Sequence, residues 1–283
     1  MPVSVISGLA EIAAAYDLFV VDQWGVLHDG QHAPPSAIDA LAQLKNAGKT
    51  VVLLSNSGKP AAQSHERLKQ LGIGPDLYDG VVTSGEDVRR HLDRRPDRFY
   101  QTLGSRFFIF AWDADRSLVE GLDYQEVDDP ADADFIIAAG TEHPTIDPYR
   151  PAIDAAMKCN LPMICANPDL VTVAPTGELK ICPGLIAQTY EEMGGTVRWH
   201  GKPTRDVYEL CFAISGPFAR GLGIGDSLLH DIRGAQQSGL DSLFVTGGIH
   251  GEHFNGAPQP EIVAAVANEY DTQPTYAIPE FVW

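Results

Sequence analysis

DLFVVDQWGVLHDG, residues 17–30, is the stretch that decides the fold class. Its apolar run from Leu18 to Val21 is typical of a buried strand, and the run ends at Asp22. Gly25 follows three residues later, so the strand delivers a carboxylate to a glycine-containing turn, which is a common way to build an active site. Trp24 stands two residues past Asp22, where a second carboxylate would be useful.

Strand-like apolar runs alternate with helical patterns along almost the whole chain. The predicted strands after residue 22 are KTVVLLSNS, VVTSGE, RFFIFAW, ADFIIAAG, LPMICAN, TVRWH, RGLGIGD and DSLFVTGG. The predicted helices are PSAIDALAQLKNAG, PAAQSHERLKQLGI, EDVRRHL, PYRPAIDAAMKC, GLIAQTYEEMG, TRDVYELCFAI and HDIRGAQQSG. This alternation predicts a mostly parallel sheet with helices on both faces. In addition, VTVAPTGELKI predicts a hairpin with its turn near Thr176-Gly177.

The charge balance argues against two classes of partner. The 283 residues contain 20 basic and 38 acidic side chains, which gives a net charge of −18. No cluster of Lys or Arg interrupts this excess, and an acidic surface repels nucleic acid and the anionic face of a membrane. No apolar run approaches the length of a membrane span. We therefore expect neither nucleic acid nor a membrane as a partner.

The cysteines indicate a reducing compartment. Cys159, Cys165, Cys182 and Cys211 fall at irregular spacings without a CxxC pair, which suggests neither a zinc site nor a disulfide framework. The N-terminal residues MPVSVISGLAEIAAAYD lack the basic region and the long apolar region of a signal peptide. We expect a cytoplasmic protein.

Polar side chains follow several of the predicted strands. Asp22, Ser55, Thr83 and Asp226 each lie where an apolar strand gives way to a polar turn. Ligands of parallel α/β sheets bind at the carboxyl ends of the strands. If these strands are neighbours, their ends converge on one crevice.

Four short segments stand out together, in the order DQWGV from Asp22, LSNS from Leu54, GKPT from Gly201 and GDSLLHDI from Gly225. In this order they resemble the motifs of the haloacid dehalogenase superfamily of phosphotransferases and phosphatases. The resemblance implies an α/β fold: a Rossmann-like three-layer core with a mostly parallel sheet and an inserted α/β cap domain. We expect residues 1–84 and 185–283 to form the catalytic core and residues 85–184 to form the cap.

The long interval from Ser57 to Lys202 is similar to the interval found in one subclass of this superfamily. This subclass contains the sugar-phosphate and p-nitrophenyl phosphatases, which carry a large α/β cap. The segment Asn167-Pro168-Asp169 matches that subclass as well. The resemblance implies a hydrolase acting on a small phosphorylated metabolite, and it suggests a homodimer. It places substrate-binding residues at Asn56, Ser57, Asn167 and Asp169, although a proline at 168 also explains the last pair as a structural corner.

The resemblance also implies roles in phosphoryl transfer. Asp22 is the nucleophile, which attacks phosphorus to form an aspartyl phosphate. Asp22 and Asp226 are ligands of Mg²⁺, and the third ligand is the backbone carbonyl of Trp24, which does not depend on the indole side chain.

Three more residues complete the implied catalytic machinery. Ser55 donates a hydrogen bond to a phosphoryl oxygen, and Lys202 neutralises the phosphate and the nucleophile. Asp231 fixes Lys202 or a metal-bound water. Each of the three also has a plainer interpretation: Ser55 as the cap of a turn, Lys202 as a solvated surface lysine and Asp231 as a helix cap.

Trp24 departs from the pattern of the phosphatases that this chain resembles. In those enzymes the residue two past the nucleophile is a second aspartate, which protonates the leaving oxygen and then activates water. An indole N–H cannot replace that acid. Three hypotheses remain open: a phosphatase that is slow or uses another acid such as His28, Asp29 or a cap residue, a different hydrolase reaction, or a protein that binds a phosphorylated ligand with little turnover. The simplest role for the Trp24 side chain itself is packing of the turn against the cap.

A second possible metal cluster lies in the loop TGGIHGEHFNGAP, where His250 and His253 are three residues apart. The loop lacks the helix that makes such a pair a zinc motif. We expect this loop to lie near the crevice rather than to hold zinc.

Overall fold

The computed structural model describes residues 3–173, 178–254 and 258–283. The strands in this part of the chain are β1 Ser4–Val5, β2 Leu18–Asp22, β3 Thr50–Ser55, β4 Gly80–Thr83, β5 Arg106–Phe110, β6 Gln125–Glu126, β7 Phe135–Ala138, β8 Met163–Cys165, β9 Val171–Val173, β10 Leu179–Ile181, β11 Val197–Trp199, β12 Gly221–Gly225, β13 Asp241–Val245 and β14 Tyr276–Ile278. The α-helices are α1 Pro35–Asn46, α2 Ala61–Gln70, α3 Ser84–Arg94, α4 Arg98–Gln101, α5 Arg150–Lys158, α6 Pro183–Glu192, α7 Arg205–Ser215, α8 Arg233–Gln237 and α9 Pro260–Glu269. Short 3₁₀ turns and a π-helical turn, Leu228–Ile232, connect them.

The chain folds into two units. The first contains the chain up to Ser55, then Ser64–Val82, and all residues from Lys202 onward. The second contains Asn56–Gln63 and Thr83–Gly201, so it is inserted into the sequence of the first at two places.

A seven-stranded sheet forms the first unit, in the order β1-β14-β13-β12-β2-β3-β4. The pairings from β1 through to β3 are all parallel. The strand β2 lies inside the sheet between β12 and β3 and is fully buried, as its continuous apolar run predicts. Leu18 and Val20 belong to one core cluster with residues of α7 and α8, so β2 packs against helices on that face.

A five-stranded parallel sheet, in the order β11-β8-β7-β5-β6, forms the second unit. Alternate residues of β7 enter two different core clusters: Ile136 packs with the helices α5 and α6, and Ile137 packs with α3. Helices therefore cover both faces of this sheet as well. The strands β9 and β10 pair antiparallel as a separate two-stranded sheet.

The predicted fold class is confirmed: both sheets are parallel in their described pairings and carry helices. The second unit ends at Gly201 rather than at residue 184, where the sequence predicts the end of the cap. Because β11 pairs with β8, both α6 and β11 belong to the second unit. The strands of the predicted hairpin are present as β9 and β10, while its predicted turn at Thr176-Gly177 lies outside the described residues. Within the described residues, no helix combines the length and the apolar composition needed to cross a bilayer.

Candidate active site

Three neighbouring strands of the first unit bring polar residues to one edge of the sheet. The strands β12, β2 and β3 are adjacent, and Asp22 is the last residue of β2. Asp22 lies opposite Leu54 in the register, so Ser55 follows immediately at the end of β3. Asp226 follows directly after β12. The strand-end prediction for Asp22, Ser55 and Asp226 therefore agrees with the order of the strands.

Thr83, the fourth predicted strand-end residue, has a structural role. Its hydroxyl donates to the carbonyl of Lys59 at 2.7 Å and accepts from the backbone N–H of Glu86 at 3.0 Å. It is therefore the N-cap of α3, and its hydroxyl also ties the start of this helix to the segment around Lys59.

Two glycines fit closely around the carboxylate of Asp226. Gly25 has a φ of +82°, and a Cβ atom there would lie 2.1 Å from Oδ2 of Asp226. A Cβ atom on Gly248 would lie 2.0 Å from the same oxygen, and the N–H of Ile249 donates to it at 2.8 Å. Only glycine lets the turn after Asp22 and the loop after β13 approach Asp226 this closely.

Lys202 connects two of the buried carboxylates. Its Nζ donates to Oδ1 of Asp22 at 2.5 Å and to Oδ1 of Asp231 at 2.7 Å, and the lysine is only 3% exposed. The other oxygen of Asp231 accepts from the backbone N–H of Ser227 at 3.0 Å. The carboxylate of Asp231 therefore contacts both Lys202 and the turn after β12. It is not a helix cap, because the N-caps of the π-helical turn and of α8 are Ser227 and Ile232. Lys202 is not a solvated surface lysine.

The electrostatics of this group are dominated by burial. Burial raises the pKa of Asp22 well above its usual range, and the neighbouring Asp231 and Asp226 raise it further, while Lys202 acts in the opposite direction. Burial acts to lower the pKa of Lys202, but Asp22 and Asp231 outweigh it and hold that pKa well above the usual value. Lys202 is therefore charged at neutral pH.

The same group is suited to a divalent cation. One oxygen from each of Asp22, Asp226 and Asp231 lies within 4.8 Å of the others, and all three residues are buried. When all three carboxylates are ionised, they carry two more negative charges than Lys202 neutralises, and a dication compensates those charges. The donors are all oxygen atoms, which are the ligands that hard cations such as Mg²⁺ prefer.

The indole of Trp24 packs within its own turn. Gly30 lies so close to the ring that a Cβ atom on it would sit 2.4 Å from the indole carbons. The imidazole of His28 meets the indole edge-on, with the ring centroids 5.9 Å apart. The indole is still 41% exposed.

Neither candidate for a substitute acid is arranged as one. His28 is buried, its Nδ1 accepts from the N–H of Gly30 at 3.1 Å, and burial together with the charge of Arg67 lowers its pKa to about 4. Asp29 accepts hydrogen bonds from the N–H groups of His32 and Gln31, which lower its pKa. At neutral pH both groups have already lost the proton that an acid catalyst would have to donate.

Two family models match the chain. A model described as "Haloacid dehalogenase-like hydrolase" matches residues 19–125, and a HAD-hydrolase-like model matches residues 199–271. Together the two matches include Asp22, Lys202 and both later carboxylates of the buried group. The chain belongs to the haloacid dehalogenase-like hydrolases.

Named relatives of this HAD-like hydrolase are phosphatases. The 4-nitrophenylphosphatase of Schizosaccharomyces pombe is 25% identical over 86% of this chain and 87% of its own length. A solved haloacid dehalogenase-like hydrolase from Brucella suis 1330 is 29% identical, with a TM-score of 0.83 over 98% of this chain and 100% of its own. The solved glycerol phosphate phosphatase of Mycobacterium tuberculosis in complex with magnesium is 24% identical, with a TM-score of 0.71 over 98% of this chain and 77% of its own.

The predicted substrate-binding residues of the HAD-like hydrolase lie in its second unit. Asn56 donates from Nδ2 to Oδ1 of Asp169 at 2.7 Å, and the side chain of Asn167 accepts from the N–H of Asp169 at 3.0 Å. Ser57 lies in the same unit, where its carbonyl accepts from the N–H of Gly85 at 2.9 Å. The structure thus brings Asn56, Asn167 and Asp169 together in one hydrogen-bonded group.

The loop after β13 contributes to the site in a way that the sequence did not reveal. Its histidines are the residues that stand out in the sequence, but the contacts with Asp226 come from Gly248 and the N–H of Ile249. His250 is buried, and its Nε2 accepts from the N–H of Leu228 at 3.4 Å. Among the described residues, His250 and His253 take part in no group of three candidate metal ligands. The Gly247-Gly248 pair after a strand was the available signal for a close backbone approach.

Proposed function

We propose that this HAD-like hydrolase is a Mg²⁺-dependent phosphohydrolase that acts on a small phosphorylated metabolite through an aspartyl-phosphate intermediate. The observation that carries the proposal is the position of Lys202, which bridges Asp22 and Asp231 inside a buried group of three carboxylates. A nucleophilic carboxylate, a cation beside it and an oxygen-lined dication site are the parts that phosphoryl transfer needs.

Asp22 is the nucleophile in this proposal. One of its carboxylate oxygens attacks phosphorus, the bond from phosphorus to the ester oxygen breaks, and the ester oxygen leaves as an alkoxide that takes a proton from solvent water. Water then hydrolyses the aspartyl phosphate, which releases phosphate and restores the carboxylate. Lys202 and the hydroxyl of Ser55 stabilise the negative charge on the phosphoryl oxygens. Asp231 keeps the ammonium group in place.

Asp22, Asp226 and the backbone carbonyl of Trp24 would hold the Mg²⁺ ion. When bound, it supplies positive charge that lets an anionic nucleophile approach an anionic phosphoryl group. The close approach of Gly25 to Asp226 supports the third ligand, because the carbonyl of Trp24 belongs to the peptide bond of Gly25. The identity of the side chain at position 24 does not affect this ligand.

Trp24 limits which substrates react quickly. Without a carboxylic acid two residues past Asp22, and with His28 and Asp29 deprotonated at neutral pH, the leaving oxygen departs without efficient protonation. A well-placed acid contributes roughly 10²–10⁴-fold to a rate. We therefore propose that esters with weakly basic leaving groups are the better substrates.

The second unit, which contains the predicted cap at 85–184, would select the substrate. Asn56, Ser57, Asn167 and Asp169 are its proposed substrate-binding residues. The hydrogen bond from Asn56 to Asp169 supports a shared role for these segments. The cysteines Cys159, Cys165, Cys182 and Cys211 are all free, which fits the proposed cytoplasmic location. A homodimer also remains part of the proposal.

The test is a screen of phosphate esters for phosphate release, with and without Mg²⁺, by the wild-type protein and by Asp22→Asn. The proposal predicts Mg²⁺-dependent release with many turnovers, and Asp22→Asn should abolish it. Tight retention of a phosphorylated compound without turnover would favour a binding protein instead. Release that persists in Asp22→Asn would exclude Asp22 as the nucleophile.

A further inference from the structure

A second group of potential metal ligands lies inside the second unit, apart from the carboxylates of the first. The helix α3 places Asp87 and His91 four residues apart, so both side chains lie on the same helical face. Nδ1 of His91 lies 3.2 Å from Oδ1 of Asp87. Asp87 is buried, and the His91 side chain is 20% exposed.

His200 completes this group from the other end of the unit. It follows β11 directly, and its Nδ1 lies 2.6 Å from Oδ2 of Asp87. Its Nε2 forms a short hydrogen bond with the hydroxyl of Tyr100. One ligand atom from each of Asp87, His91 and His200 lies within 4.8 Å of the others.

Hydrogen bonds join the three residues. Nδ1 of His200 lies 2.6 Å from Oδ2 of Asp87, and Nδ1 of His91 also lies 2.9 Å from the backbone carbonyl of Asp87. A metal ion would therefore take the place of the protons in these hydrogen bonds.

We propose that Asp87, His91 and His200 form a binding site for a transition-metal dication of the zinc type. Ligand atoms around tetrahedral zinc lie roughly 3.3 Å from one another, as bonds of about 2.0–2.1 Å require. Nδ1 of His91 lies 3.2 Å from Oδ1 of Asp87, which is close to that value. Nδ1 of His200 lies 2.6 Å from Oδ2 of Asp87, which is hydrogen-bond distance, so this pair has to move apart when a metal ion binds. The ligands come from one helix and one strand end, so small adjustments of the side chains are enough.

The surroundings of His200 support the same site. When Nδ1 of a histidine binds a metal ion, its proton lies on Nε2, and that N–H is usually held by an acceptor. The hydroxyl of Tyr100 is in position to be the acceptor for His200. The partial exposure of His91 leaves room on that side for a fourth ligand such as water.

The two candidate sites should select different metals. Two imidazoles and one carboxylate favour Zn²⁺ or Co²⁺, whereas the all-oxygen group around Asp22 favours Mg²⁺. Binding at Asp87 can therefore be measured while excess Mg²⁺ occupies the other site. This measurement does not depend on whether the protein is a phosphatase.

The experiment is a titration of the metal-free protein with Co²⁺ in excess Mg²⁺, followed by visible absorption and then by displacement with Zn²⁺. Four-coordinate Co²⁺ with imidazole ligands absorbs far more strongly than octahedral Co²⁺ with oxygen ligands. We expect the wild type to develop this spectrum at one equivalent and to lose it as Zn²⁺ is added. His91→Gln and His200→Gln should not develop the spectrum, and His32→Gln, at an exposed histidine of the first unit, should match the wild type.

Tyr100→Phe provides a graded test, because it keeps all three ligands and removes only the partner of His200. We expect Co²⁺ binding to weaken about 10–100-fold in this variant. His91→Gln changes a partly exposed side chain, so it tests the site even if His200→Gln does not fold. A wild-type protein that binds no Co²⁺ in Mg²⁺, or a spectrum unchanged by His91→Gln, would overturn the proposal.

Discussion

Lys202→Met replaces the ammonium group with an apolar side chain of similar length and leaves the surrounding carboxylates in place. In the metal-free protein, Lys202 is the positive charge paired with Asp22 and Asp231, at 2.5 Å and 2.7 Å. Both ion pairs are buried, so water cannot replace the lost charge. Removing one partner of a buried pair typically costs about 3–5 kcal/mol. We expect the free energy of unfolding at neutral pH to fall by an amount in that range.

The pH dependence of this loss follows from the shifted pKa values. The native-state pKa of Lys202 is raised, so its stabilisation is fully present below the unfolded pKa of about 10.4 and is lost only above it. The native-state pKa of Asp22 is also raised, so stability falls as pH rises from the unfolded value of about 3.9 through the higher native value. In Lys202→Met the pKa of Asp22 rises further. Asp22 of the variant therefore takes up a proton more readily as the pH falls, and we expect the loss of stability to be smaller at pH 5 than at pH 7.5.

Urea unfolding of both proteins in EDTA at pH 7.5 and pH 5 measures these differences. Lys69→Met is the matched control, because Lys69 is exposed near the end of α2. Surface substitutions of this kind change stability by about 0.5 kcal/mol or less. A loss below about 1 kcal/mol at pH 7.5, or a loss that grows at pH 5, would refute the electrostatic reasoning.

Three further predictions follow from the same group of residues. Trp24→Asp should raise the rate roughly 10²–10⁴-fold for alkyl phosphates and much less for 4-nitrophenyl phosphate, as steady-state kinetics with both esters would show; equal gains for both would contradict the missing-acid explanation. Gly248→Ala should weaken Mg²⁺ binding, because its Cβ would lie 2.0 Å from Oδ2 of Asp226, whereas Gly251→Ala has no atom nearer than 3.8 Å and should not; calorimetric titration of the two variants compares them. Mg²⁺ at about 100 times its dissociation constant should stabilise the wild type by about 2.7 kcal/mol in urea unfolding, and Asp22→Asn should lose most of that gain.

Much of the fold could be predicted from local pattern. The run Leu18–Val21 and its counterparts in β3, β7 and β13 are continuous and apolar because parallel strands are buried on both faces. The short strand β14 and the helix α9 were not predicted, since three residues give little periodicity and the helix follows a glycine-rich loop. The sequence alone predicts a cap that ends at residue 184, whereas the second compact unit extends to Gly201, because the pairing of β11 with β8 is a long-range contact that composition does not reveal.

The four motifs predict the main residues of the candidate active site, but not the contacts that depend on tertiary structure. The order of the four motifs identified Asp22, Lys202, Asp226 and Asp231, and the structure brings these four residues into one buried group. The group of Asp87, His91 and His200 was not identified, because its members lie 113 positions apart at the extremes and only the spacing of the first two is visible in sequence. The fit of Gly248 against Asp226 also depends on tertiary structure.

The central claim is that Asp22 and Asp226 share one divalent ion beside Lys202 and that Asp22 receives the phosphoryl group. Crystals grown with Mg²⁺ and vanadate, a mimic of the transferring phosphoryl group, test it most directly. We expect Mg²⁺ between the carboxylates of Asp22 and Asp226, with vanadium next to an oxygen of Asp22 and the vanadate oxygens facing Lys202. Metal bound without Asp226, or vanadate held away from Asp22, would contradict it.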